Sequence, residues 1–118
     1  MSYQICLLPG DGIGPEVVAQ AQTVLEALPR YWDFTIAEIG YAAYLQYDTP
    51  LPDETLVAIQ EANATLFGAV TTPPNIPGYF SPVVRMRQEL ELYANLRPCR
   101  SFPHSALYCC PQAPSIRQ

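Results

Sequence analysis

Residues Leu8–Val17 read LPGDGIGPEV, with glycines at positions 10, 12 and 14, Asp11 between the first two, then Pro15 and Glu16. Ahead of this stretch the apolar run Ile5–Leu8 has the length and the Pro9–Gly10 boundary of a buried strand, which we place at Gln4–Leu8. Behind it Val17, Val18, Ala21, Val24, Leu25 and Leu28 recur at helical spacing, so a helix is predicted from Pro15 up to Pro29. A proline suits the first helical turn, and Glu16 sets a negative charge at the positive end of the helix dipole. A strand, a glycine turn and a helix in this order open many α/β folds.

The turn admits two readings. A dinucleotide fingerprint needs G-x-G-x-x-G and an acidic residue some way on. Here the spacing is Gly10, Gly12, Gly14, and Asp11 inside a phosphate cradle would repel the ligand, although Glu38 lies where a ribose-binding acid could stand. A tight strand-to-helix turn with positive φ at its glycines accounts for the same residues without any ligand.

Moving outward, DFTIAEI (Asp33–Ile39) alternates as a second strand, and Tyr41–Asp48, with its three tyrosines, reads as a short helix. A helix start at TPLPDET opens Asp53–Asn63, with Leu56, Ile59 and Ala62 on one face. ATLFGAV (Ala64–Val70) is the third strand. Strands separated by helices imply a largely parallel sheet covered by helices, an α/β fold. The proline-rich loop Thr71–Ser81 then leads to Ser81–Pro82, an N-cap followed by proline at the first helical position, and to a helix over Pro82–Tyr93. ANLRPCRSF reads as extended chain. HSALYCCPQAPSIRQ, residues 104–118, follows neither strand nor helix period.

Composition excludes several functions. The net charge is −5, and all six basic residues are arginines. Nucleic acid asks for clustered cations, so no nucleic-acid partner is expected. The absence of lysine removes a lysine base, a Schiff base and a phosphate-binding lysine. No apolar run approaches the ~20 residues of a membrane span, and the N-terminus lacks a signal-peptide pattern. Neither a membrane partner nor export is therefore expected, and a cytoplasmic location follows. Cys6, Cys99, Cys109 and Cys110 lack C-x-x-C spacing and read as free thiols.

Arg87 and Arg97 are ten positions apart, one on a helix and one on the strand after it, where two guanidinium forks could converge on one polycarboxylate. Their ordinary alternative is a solvated helix face, with Arg85–Glu89 and Arg87–Glu91 as i,i+4 pairs. Ser81 could cap its helix, bind an anion there, or do both. Thr71 and Thr72 could equally be part of a hydroxyl-rich turn.

PGDGIGPEV after a first strand, ATLFGAVTTP (Ala64–Pro73) and RQELELYANLRPCRSFP (Arg87–Pro103) together resemble one family, in the right order and over roughly Tyr3–Pro103. These are the β-decarboxylating 2-hydroxy-acid dehydrogenases, the isocitrate/isopropylmalate dehydrogenase family, and the likeness is closest to the homoisocitrate and isocitrate enzymes. The resemblance implies an incomplete, N-terminal part of that α/β fold over residues 1–103, with a divergent irregular tail at 104–118. It implies that Arg87 and Arg97 bind the malate-like part of a small di- or tricarboxylate substrate and that Ser81 meets its distal carboxylate. It also implies that Val70, Thr71 and Thr72 approach the nicotinamide of NAD or NADP. In the family Mg or Mn, its aspartate ligands and the proton-moving lysine and tyrosine come from later sequence, and the enzyme is a homodimer. The expectation is a fragment of an oxidoreductase, inactive alone. A non-catalytic α/β binding module and a separate dinucleotide-binding domain are the other readings. Ser81 favours a third carboxylate, as in homoisocitrate or isocitrate; Val83 and Val84 would suit the isopropyl group of 3-isopropylmalate.

Overall fold

The computed structural model describes residues 2–98. Three strands, β1 (Ser2–Gly10), β2 (Tyr31–Ile36) and β3 (Ala64–Ala69), form one sheet in the order β2-β1-β3. Both pairings are parallel, with Ile5 opposite Phe34 on one side and Ala64 on the other. The helices are α1 (Gly14–Glu26), α2 (Tyr41–Tyr47), α3 (Asp53–Glu61) and α4 (Pro82–Glu89). The expected α/β arrangement of strand, helix and parallel sheet is therefore present.

The unbroken apolar run of β1 follows from its central place. Cys6 and Leu8 point to one face, where Ile39, Leu51 and the α3 residues Leu56 and Ile59 pack on them. Ile5 and Leu7 point to the other face, against Val18 of α1 and Trp32, Phe34 and Leu66. A strand covered on both faces has no polar side to show. Burial also pushes the Cys6 thiol pKa above its ordinary value, which makes it an inert core residue. It is a free thiol, and the other three cysteines lie outside the described residues, as does the tail expected at 104–118.

Two elements differ most from the sequence reading, each for a local reason. The second strand lies at Tyr31–Ile36 rather than Asp33–Ile39. Ladder pairing stops at Leu7–Ile36, and the Glu38 carbonyl instead accepts a bond from the Thr55 hydroxyl at 2.7 Å. Ile39 continues the apparent alternation because it is fully buried in the core without being in a strand. The fourth helix stops at Glu89 instead of reaching Tyr93. Glu91 adopts a left-handed φ of 50°, Glu91 N–H donates to the Gln88 carbonyl and Leu92 N–H to that of Arg87. This is a Schellman stop, usually signalled by glycine or asparagine and here hidden under a glutamate.

Much apolar surface remains open. Along α1 and its flanks Ile13, Val17, Val24 and Leu28 are exposed, and Tyr31 and Ile36 of the outer strand β2 are 80% and 65% exposed. Among the described residues β2 and β3 each pair on one side only. Unpaired edges and uncovered apolar residues of this kind drive association. The purified chain is expected to self-associate or bind hydrophobic dyes, as read by sedimentation and dye fluorescence. A monodisperse monomer with a sharp two-state melt and no dye binding would contradict this.

Candidate functional site

The chain leaves β1 for α1 on the Ile5/Leu7 face, whereas after β3 it reaches α4, whose Met86 packs on the Cys6/Leu8 face. The connections after these neighbouring strands therefore diverge between β1 and β3. In an open parallel sheet the crevice at such a switch point, beyond the carboxyl ends of the strands, is where ligands bind.

The sequence places Asp11 in that crevice. Its N–H donates to the Ala69 carbonyl at 2.6 Å, continuing the β1–β3 contact past the ladder. Its carboxylate accepts three backbone N–H bonds: Oδ2 from Tyr41 and Thr71, both at 2.8 Å, and Oδ1 from Ala42 at 2.9 Å. Helix α2 begins after Gly40 and has no side-chain cap of its own, so a residue 30 positions upstream caps it. Gly40 is required there, because its φ is 94° and a Cβ would lie 2.3 Å from Asp11 Oδ2. The Asp11 carboxylate thus ties the start of α2 to the chain just after β3. This gives the aspartate of the turn a structural role that needs no ligand, in line with the tight strand-to-helix reading of the stretch. The one clue in the sequence was a helix opening at Gly40–Tyr41 without Ser, Thr, Asp or Asn.

Above Asp11 sits an aromatic cluster. The Tyr79 ring meets Tyr44 edge-on at 5.1 Å between centroids and Tyr41 at 6.3 Å. Its hydroxyl donates to the Thr71 carbonyl at 3.0 Å. Burial, then the negative charge of Asp11, then Tyr41, push the Tyr79 phenol pKa above its ordinary value. The phenol therefore keeps the proton it donates at neutral and mildly alkaline pH.

The candidate residues fall into three places. Thr71 and Thr72 follow β3 at the crevice and are exposed. Val70 turns its side chain to the Cys6/Leu8 core, so toward the crevice it offers only its backbone. Ser81 is at the N-cap of α4 with an extended backbone, but its hydroxyl makes no capping bond. The position is as expected and the side-chain bond is not made.

Ser81 shares a shallow groove of about 280 Å³ with Phe80, Val84, Arg85 and Gln88. Arg85, which the sequence offers as an i,i+4 partner of Glu89, thus joins Ser81, and Arg87 does not. Arg85 pairs with Glu89 and lies over the Phe80 ring at 5.7 Å. Arg87 is in the last turn of α4, and Arg97 stands in residues 92–98, which form no strand among the described residues. Both are exposed, and neither has a carboxylate within ion-pair distance among the described residues. The Arg87–Glu91 pair of the ordinary alternative is not formed among the described residues, because the left-handed Glu91 leaves the helix. A second groove, at the end of β2, includes Glu38, Glu54 and Thr55 and holds none of the candidate residues. Among the described residues no three His, Cys, Asp or Glu side chains gather as metal ligands. No described helix is long and apolar enough to cross a membrane.

Comparison with known proteins adds the context of this crevice. The sequence profile of the isocitrate/isopropylmalate dehydrogenase family matches residues 4–118. An isocitrate/homoisocitrate dehydrogenase of Thermus thermophilus is 45% identical over 104 residues, covering 87% of this chain and 31% of that protein. A 3-isopropylmalate dehydrogenase of Bordetella pertussis is 44% identical over 111 residues, covering 90% of this chain and 31% of the relative. The crystal structure of a β-decarboxylating dehydrogenase of Thermococcus kodakarensis superposes with a TM-score of 0.71 at 42% identity, over 77% of this chain and 27% of that one. The chain spans about a third of the length of these curated relatives. With the glycine turn, the parallel sheet and this degree of identity all in agreement, the chain belongs to the isocitrate/isopropylmalate dehydrogenase family.

Proposed function

We propose that this chain forms the N-terminal part of an NAD(P)-dependent dehydrogenase that oxidatively decarboxylates a malate-type 2-hydroxy acid. The observation that carries the reading is the identity of about 45% to enzymes of that activity across the segment holding the crevice, Ser81, Arg87 and Arg97. Homoisocitrate or isocitrate is the first substrate choice and 3-isopropylmalate the second. Ser81 carries a hydroxyl that makes no capping bond and is offered to a distal carboxylate, and Val84 in the same groove offers an apolar wall.

In this reading Arg87 and Arg97 hold the substrate's carboxylates through bidentate, charge-assisted bonds. Their guanidinium groups, exposed and without an ion-pair partner among the described residues, are compatible with that task. Thr71 and Thr72 line the approach of the nicotinamide, which when bound accepts the hydride from the hydroxyl-bearing carbon. The described residues do not gather a divalent-metal site, so no metal-dependent step is assigned to them. The sequence also has no lysine to move a proton. Complementing residues, and a homodimeric assembly, belong to the proposal for a longer protein.

The test has two parts. The 118-residue chain alone is expected not to reduce NAD or NADP with isocitrate, homoisocitrate or 3-isopropylmalate and magnesium. Grafted in place of the matching segment of the Thermus thermophilus enzyme, it is expected to give an active dehydrogenase. A folded graft that turns over none of these acids would instead favour a non-catalytic binding module.

A further inference from the structure

Beyond its place in the turn, Asp11 is one jaw of a clamp on a single residue. The last paired residue of β3 is Ala69, so Thr71 has no ladder partner. Its two main-chain groups are nevertheless both taken by distant side chains: the N–H by Asp11 Oδ2 at 2.8 Å, the C=O by the Tyr79 hydroxyl at 3.0 Å. Over Thr72–Gly78 the loop has little such fixing; the one described backbone bond there runs from Tyr79 N–H to the Ile76 carbonyl. The restraint is thus concentrated on the first exposed residue beyond the strand. It is tied through Tyr41 and Ala42 to α2 and through the Tyr79 ring to Tyr41 and Tyr44.

We infer that Asp11 and Tyr79 are positioning residues that fix Thr71, and with it the start of the Thr72 segment, for the nicotinamide end of the cofactor. This rests on the dehydrogenase reading for the identity of the ligand, whereas the clamp itself stands on the distances above. Holding a contact residue by both peptide groups removes backbone freedom that ligand binding would otherwise have to restrict. The sheet does not depend on it, because β1 and β3 already pair from Ile5 to Gly10.

Amide exchange on the full 118-residue chain tests the clamp. In Asp11→Ala, exchange at Thr71, Tyr41 and Ala42 should rise by roughly tenfold or more while β1 and β3 amides hold. Asp11→Asn can keep one acceptor oxygen in the Oδ2 position, so Thr71 and Tyr41 should remain protected and Ala42 should not. Tyr79→Phe keeps the ring packing and loses only the hydroxyl. In the active graft, Asp11→Ala and Tyr79→Phe should raise KM for NAD(P) by roughly tenfold and leave KM for the hydroxy acid unchanged, while Asp11→Asn, which keeps the Thr71 bond, should stay near the parent values. Unchanged Thr71 exchange in Asp11→Ala, or a uniform loss of protection across the sheet, would overturn the clamp. Equal rises in both KM values, or no rise in Asp11→Ala and Tyr79→Phe, would overturn the cofactor role. An inactive parent graft with the expected exchange pattern would sink the dehydrogenase reading and the cofactor role, and leave the clamp standing.

Discussion

Arg97→Ala, introduced into the active graft, is expected to lower kcat/KM for the hydroxy acid by roughly 10²–10³-fold and to leave KM for NAD(P) nearly unchanged. Removing one partner from a desolvated charge pair costs about 2–5 kcal/mol, much of it from the carboxylate left without its cation. The expected loss stays below the top of that range because Arg97 is exposed in this structure, so desolvation comes only with ligand and the rest of the enzyme around it. Arg97→Lys should fall between, since an ammonium keeps the charge and loses the planar fork. Steady-state kinetics with each acid would show it. Unchanged kinetics for every family substrate would remove Arg97 from the substrate site.

Gly14→Ala should unfold the chain or come close to it. A Cβ at Gly14 would lie 1.9 Å from the Pro9 carbonyl oxygen and 3.0 Å from Ala69 N, both backbone atoms that no rotamer change can move. Helix α1 would have to lift off the sheet and lose the contact of Val18 with Ile5 and Leu7. Overpacking of this kind costs about 3 kcal/mol or more. Better helix propensity returns at most about 1 kcal/mol. Gly12→Ala is the control, because a Cβ there meets nothing within 4 Å and only its φ of +58° is unfavourable, worth roughly 1–2 kcal/mol. Thermal melts followed by the fluorescence of the single tryptophan, Trp32, would separate the two. Equal losses in both variants would mean that conformation, and not close approach, explains Gly14.

That contrast marks where the sequence was legible. Periodicity located β1, α1, α3 and β3 because each buries a regular set of side chains; Leu56 and Ile59 of α3 face the core as their spacing predicted. The glycine turn and its position after the first strand were equally plain. Positive φ was expected at all three glycines of the turn. It holds at Gly10 and Gly12, whereas Gly14 is needed for helix-to-strand contact, which no local pattern encodes. The end of α4 was misplaced because glutamate at a left-handed position carries no sequence signal.

The order of elements, the parallel α/β sheet and the family were set by features lying close together along the chain: apolar periods of two and 3.6, a glycine turn, and three short motifs. Asp11 could not be read this way. Its partners, Tyr41, Ala42 and Thr71, lie 30, 31 and 60 residues away, and an aspartate between glycines looks alike whether it meets solvent, ligand or backbone. Only packing β1 between β2 and β3 brought those three amides to one carboxylate.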